Sequence, residues 1–388
     1  MGAGNARTWP YGAILPWAES RSDWHAWGTQ MPAALAAASA TLKNPKLLGP
    51  AITDSAVFDP ILLTAGGPDN AWLPTPINRS QIAYGVDSRL QSLLAVSDVA
   101  KLPGLKELAG IVGSWYFGTN ASGEAIYDPA TGITFDGVEA NGDINRNSGA
   151  ESTIHGLLSM LALDANPDVA ERAAGINTVK SRSGLTVVEA ETTTTTTGSA
   201  IAPAEKWTGE SEYSGTGYLE LTRKETATFR LPAASAARLI EPVIFSAENG
   251  KARSLWRSGP LPLGVLKHGV GEQGVSAVPG ALLPQSLPIA VPAKRTSVSV
   301  TALTGTVNID ALIVRPVVGR LVTSGSVGST ELAHSSSALP ERITINEGGT
   351  AGTLRSYDSG GKLVASYTIS GPAHVTLKPG GFAVVTSS

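Results

Sequence analysis

The apolar residues of this chain change their spacing part-way along it, and that change limits the fold more than any other feature. From Trp9 to about Ile176 they recur at helical intervals between Gly- and Pro-rich loops, the period of amphipathic helices. From about Leu185 onward, short runs rich in Thr, Val and Tyr alternate with turn residues, the pattern of antiparallel strands. A chain of 388 residues exceeds one ordinary core, since domains run to about 100–200 residues. The expected organisation is a helical unit at 1–180, a β-sandwich of jelly-roll type at 181–320 and a small C-terminal β-sandwich at 321–388.

Within the first block the spacing predicts helices over Ser22 to Leu42, Pro45 to Leu63, Asn78 to Ser97, Lys101 to Phe117 and Gly149 to Leu163, with a short one after Asn166. Ser22 reads as the N-cap of the first. Strands are predicted at Thr186 to Glu191, Gly217 to Thr222, Thr226 to Leu231, Leu239 to Phe245, Ser297 to Ala302 and Asn308 to Val314. Beyond a Gly- and Ser-rich shift at Val322 to Ser337, further strands are expected at Glu341 to Ile345, Thr353 to Tyr357, Leu363 to Ile369, Ala373 to Leu377 and Gly381 to Thr386.

Composition excludes several functions. A hydrophobic share of 42% with 16% charged residues is that of a folded globular chain. A net charge of −3 without a Lys/Arg cluster gives no footprint for nucleic acid or an anionic membrane. No apolar run approaches the roughly 20 residues that span a bilayer. The absence of cysteine removes disulfides, thiolate metal sites and a cysteine nucleophile. The 5 histidines, His25, His155, His268, His334 and His374, lack ligand-like spacing. No phosphate loop or nucleophile elbow is present. Met1 to Arg7 lack the apolar core of a signal peptide, so the start is expected to be that of an expressed piece or to follow a missing upstream segment.

Three stretches of the helical block carry a resemblance: Ser22-Asp23-Trp24-His25-Ala26-Trp27-Gly28, Gln81-Ile82-Ala83-Tyr84-Gly85-Val86-Asp87 and Asn145-Arg146-Asn147-Ser148-Gly149-Ala150-Glu151-Ser152-Thr153. The block resembles the six-hairpin (α/α) toroids of glycoside hydrolases and polysaccharide lyases. Inner helices of such toroids begin at a sugar-lined cleft, which implies substrate contacts for Asp23, Trp24, His25, Trp72, Tyr84 and Asn147. The chain supplies only half of such a ring, which implies a partner polypeptide or an upstream segment covering its apolar flanks.

The second block resembles family 6 and family 35 carbohydrate-binding modules, through Val188-Glu189-Ala190-Glu191 and Asn308-Ile309-Asp310-Ala311-Leu312. The resemblance implies a structural calcium held by Glu189, Glu191 and Asp310, oxygen ligands suited to a hard cation. It also implies glycan contacts for Asn308 and, among the aromatic stock Trp207, Tyr213, Tyr218 and Trp256, for Trp207. Gly264 to Pro288 departs from the pattern in lacking a tryptophan-bearing strand.

Glycosidic hydrolysis commonly needs two carboxyl groups, one protonated and one ionised. Glu151, which follows an Asn/Gly-rich loop and opens a helix, is the acid best placed for that chemistry, or else a residue that only favours the helix start through the dipole. Asp136, Glu139 and Asp143 crowd the preceding loop, where mutual repulsion raises carboxyl pKa values; the alternative is a solvated turn. Asp136 and Asp143 join Glu151 as catalytic candidates. The sequence thus predicts a component of a carbohydrate-active enzyme, foremost a glycoside hydrolase acting on an oligo- or polysaccharide at or outside a bacterial cell surface. A polysaccharide lyase and a non-catalytic glycan-binding subunit are the alternatives.

Overall fold

A computed structural model describes residues 5–18, 20–208, 211–247, 249–269 and 280–387. Met1 to Gly4 and the centre of the Gly264 to Pro288 stretch lie outside the described residues. The protein is mixed helix and antiparallel sheet.

The helical block contains α1 (Met31–Leu42), α2 (Leu48–Thr53), α3 (Asp59–Ala65), α4 (Ala83–Ala100), α5 (Pro103–Gly113), α6 (Ala150–Asp164) and α7 (Pro167–Gly175). α4 packs against α1 on one side and α6 on the other, with α5 behind it and α7 against α5. Among the described helices α6 also contacts α7. The predicted first helix starts late because Pro32 fixes its opening turn. Before it, Trp24–His25 is extended and pairs against Ala71–Trp72, and Ala26–Gly28 forms a 3-10 turn.

A π-turn, Asp54–Phe58, joins α2 to α3, and the run Pro45–Ala65 is long and apolar enough to cross a bilayer. In the fold it is a core helix. Asp54 and Asp59 on it face the buried guanidinium of Arg89, Asp59 at 3.4 Å, and Arg89 lies over the rings of Trp24 and Phe58 at 5.5 and 5.2 Å. Burial pushes the Asp59 carboxyl up to about 7, with the neighbouring Asp54 adding to the shift and Arg89 opposing it.

The middle sandwich has two antiparallel sheets. One is organised around the long strand Val307–Pro316, which pairs with Arg238–Ala247 on one edge and with both Tyr218–Leu221 and Thr186–Glu189 on the other. The second runs Leu261–His268, Ala252–Ser258, Ser297–Thr304, Thr226–Arg230 and Thr195–Thr196. Between them lie Phe229, Ile240, Trp256, Val300 and Leu312.

The last unit is discontinuous in sequence. Thr178–Ser183, ahead of the sandwich, pairs with Val318–Gly325, immediately after it, so the sandwich is inserted between two neighbouring strands of another sheet. The Gly/Ser-rich stretch read as a boundary is itself a hairpin, Val318–Gly325 with Gly328–Ser335. Leu321, Leu332, Tyr357, Phe382 and Val384 of this sheet share one core with α4 and α5. The approach is close: the Gly104 amide donates to the Gly361 carbonyl (3.1 Å), and a Cβ at Gly104 would lie 2.7 Å from that oxygen.

Candidate functional site

The starts of α4 and α6 are held at one end of the helical block by a small three-stranded sheet, Gln81–Ile82, Gly137–Val138 and Ile144–Asn145. Gln81 is buried and accepts from the indole N–H of Trp115 (2.8 Å), which anchors the sheet to the core. Asp136 caps α6, its Oδ1 accepting from the Gly149 amide (3.0 Å) and the Ser152 hydroxyl (2.5 Å). That carboxylate is therefore committed to the helix start. Asp143 sits exposed near the Asn141–Gly142 turn and accepts from Asn141 (2.8 Å), while Glu139 accepts from Ser80 (2.6 Å). The three loop acids have separate side-chain partners, and Glu139 and Asp143 face one another across the turn, the Glu139 amide donating to the Asp143 carbonyl (2.8 Å). Asn147 is exposed, its backbone carbonyl accepting from the Asp136 amide.

Glu151 lies exposed in the first turn of α6 and makes no side-chain hydrogen bond or ion pair among the described residues. One turn further on, His155 Nδ1 lies 2.7 Å from the buried Asp87 carboxylate of α4. The His155 ring meets Tyr84 edge-on with centroids 4.7 Å apart. His155 and Asp87 were not singled out from the sequence. The signal for them is faint: Asp87 falls three residues after Tyr84 and His155 four after Glu151, each one helical turn along the same helix.

Trp24 and Trp72, expected in the cleft, are 1% and 0% exposed. They pair across the short two-stranded sheet and pack with Phe58 (Trp24–Phe58 4.9 Å, Phe58–Trp72 5.6 Å), so both are core. Alternation along the strand turns their neighbours the other way. Asp23 is half-buried with Oδ1 unpartnered, and burial pushes its carboxyl up to about 6. His25, lowered to about 4 by burial, stacks on Trp27 (3.7 Å), and Trp27 is 68% exposed. The Tyr84 hydroxyl donates to the Trp27 carbonyl (3.3 Å), which brings these groups beside α4 and α6.

In the sandwich, Glu189, Asp310 and Ser214 interlock. Asp310 is fully buried and accepts from the Ser214 amide (2.7 Å) and from Thr75 of the helical block (3.0 Å); the Ser214 hydroxyl lies 2.6 Å from Glu189 and 3.2 Å from Asp310. Burial pushes Asp310 up to about 7, and nearby Glu189 adds to it. Glu191 accepts from the Thr216 amide (2.7 Å) and leaves Oε2 buried without a partner. The other oxygen, Oε1, is the one that approaches Gly215, where Glu189 Oε2 also comes near. Asp310 tethers the sandwich to the helical block, and no three acidic or imidazole groups converge on a metal position among the described residues.

Trp256 is core and Tyr213 stacks on Tyr218 (4.7 Å), which leaves Trp207, 47% exposed, as the open aromatic of that set. Asn308 lies at the start of the strand Val307–Pro316 opposite Glu220, with its Oδ1 buried and unpartnered. A polar groove of about 740 Å³ runs between the blocks, lined by Thr75, Arg79, Glu189, Lys206, Glu212 and Tyr213.

No protein-family model matches the chain, and no curated relative matches it. Among solved structures it is similar to the C-terminal family 6 carbohydrate-binding module of LamC, a marine laminarinase from Zobellia galactanivorans (13% identity, 34% of this chain and 99% of that one, TM-score 0.25). It is also similar to the catalytic domain of a GH87 α-1,3-glucanase in complex with nigerose (18% identity, 37% of this chain, 29% of that one, TM-score 0.26). A third is a family GH115 4-O-methyl-α-glucuronidase with specificity for decorated arabinogalactans (13% identity, 59% of this chain, 33% of that one, TM-score 0.26). The chain spans no more than a third of the two enzymes, and likenesses of this size bear on no residue's role.

Proposed function

We propose that the chain is a component of a carbohydrate-active enzyme that hydrolyses glycosidic bonds at the end of the helical block where α4 and α6 begin. The observation that carries this reading is a contrast between two carboxyls. Asp23 is half-buried, keeps a buried oxygen without a partner and is pushed up to about 6, whereas Glu151 stands exposed in solvent. Hydrolysis needs one carboxyl that keeps its proton near neutrality and one free to activate water or attack. Asp23 suits the first role and Glu151 the second.

The test is release of reducing ends from a panel of polysaccharides. Asp23→Asn and Glu151→Gln should each lower turnover by about 10²–10⁴ with polysaccharide binding retained. Unchanged turnover in both variants sinks the assignment of Asp23 and Glu151, and binding without turnover in the wild type sinks the enzyme reading and leaves a glycan-binding subunit. Elimination on a uronic acid is the second reading, supported by His155 held on Asp87 beside Tyr84. Release of an unsaturated, ultraviolet-absorbing product separates it from hydrolysis.

A partner polypeptide belongs to the same reading, supported by α6, which exposes Ile154, Leu157, Leu158 and Leu161 at the i, i+3, i+4, i+7 spacing of a helix seam. A native mass equal to the monomer, with a cooperative melt, would remove it. Calcium on Glu189 and Glu191 is checked by whether added calcium raises the melting temperature and chelation lowers it. The compartment proposed is the bacterial exterior, where polysaccharide is met; fractionation of the source cells tests it.

A further inference from the structure

The same end of the helical block holds a group of side chains that two-carboxylate chemistry leaves unused. Asp87 is buried in α4; its Oδ1 accepts from Ser159 (2.8 Å) and Gln91 (3.2 Å), and its Oδ2 lies 2.7 Å from His155 Nδ1. A carboxylate can only accept, so Nδ1 donates to it, and whenever the ring carries a single proton Nε2 is the lone-pair nitrogen. Nε2 makes no hydrogen bond and is not buried, and the side chain keeps 16% exposure.

Two buried histidines behave differently: His334 and His268 place Nε2 on the hydroxyls of Thr64 and Ser254, each at 2.8 Å. His155 has its inner nitrogen fixed and its outer nitrogen open. Beside it Tyr84 is wedged between the His155 ring and the Trp27 backbone, and the Trp27 indole, backed by His25, offers a flat exposed face.

We propose that Trp27, Tyr84 and His155 form a subsite for one pyranose unit, with the Trp27 indole against the sugar face and His155 Nε2 accepting a hydrogen bond from a ring hydroxyl. The subsite rests on the carbohydrate reading above and deepens it. Indole faces stack on the apolar faces of pyranoses. An oriented acceptor then selects among sugars, because a site built to bond a hydroxyl rejects analogues that lack it. Asp87 is a positioning residue that sets the ring tautomer.

The experiment is affinity electrophoresis of the full chain through gels containing soluble glucans, xylan, arabinan or arabinogalactan. In whichever gel retards the wild type, Trp27→Ala and His155→Ala should weaken binding tenfold or more. His155→Gln should recover part of the loss, since its amide oxygen supplies an acceptor near Nε2. Tyr367→Ala, exposed on the strand Leu363–Ile369, should bind as the wild type does.

Wild-type affinity in both Trp27→Ala and His155→Ala overturns the subsite and leaves the carbohydrate reading standing, whereas a wild type retarded by none of the gels overturns both. Nitrogen-15 spectra decide the geometry without any ligand: His155 is expected as the Nδ1–H tautomer, and an Nε2–H ring overturns the assignment even if the variants misfold.

Discussion

The end of the helical block and the sandwich each gather acidic side chains, and the two sets differ in exposure: Glu151 stands in solvent, whereas the unpartnered Glu191 Oε2 of the sandwich is buried. In the sandwich, Glu189 and Asp310 share the Ser214 hydroxyl, and Asp310 also takes Thr75 across the junction. At the helical end Glu151 is exposed and unpartnered and His155 Nε2 is open, while the unpartnered Asp23 Oδ1 is buried. Saturated groups hold a fold together; unsaturated groups near solvent are free for ligands. Acid content alone would have ranked the two clusters equally.

The comparison breaks most visibly in turnover. Glu151→Gln should cost about a thousandfold in rate while the melting curve stays where it was, since no fold contact is lost. Asp310→Ala should do the reverse, lowering stability by about 3 kcal/mol because Thr75 and Ser214 lose their buried acceptor. Urea denaturation reads this, and a loss under about 1 kcal/mol would mean that the junction does not depend on the tether.

Asp23 sharpens the comparison through pH. Its folded-state pKa lies above the unfolded one, so its contribution to stability is fully present below about pH 4 and is lost as pH rises through about 6. Discounted for the solvent that screens this half-exposed carboxyl, the stability of the wild type relative to Asp23→Asn should therefore fall by roughly 1 kcal/mol between pH 4 and pH 7. The subtraction matters because His25 and His268, both lowered to about 4, act oppositely: their contribution is lost as pH falls from about 6.5 through 4. A flat difference would mean that the Asp23 carboxyl is solvated.

The smallest effect is expected at Leu161, which is 64% exposed. Leu161→Glu should shift the isolated chain by no more than about 0.5 kcal/mol, and a larger loss would show that the outer face of α6 is covered.

Local pattern alone determined where most elements lie. The helical period located α4 to α7 to within a few residues, and alternation located strands as short as Leu363–Ile369 and Ala373–Leu377, because periodicity is a property of neighbours in the chain. It also marked Glu151 at a helix start and Trp27 beside Trp24, without distinguishing the open ring from the buried one. The Trp24–Trp72 pairing, the Asp310–Thr75 tether and the insertion of the sandwich between two strands of one sheet were decided by the tertiary structure. So was the His155–Asp87 contact, between residues 68 apart in sequence. Burial and hydrogen-bond saturation depend on which distant groups arrive at a side chain, and packing alone supplies that information.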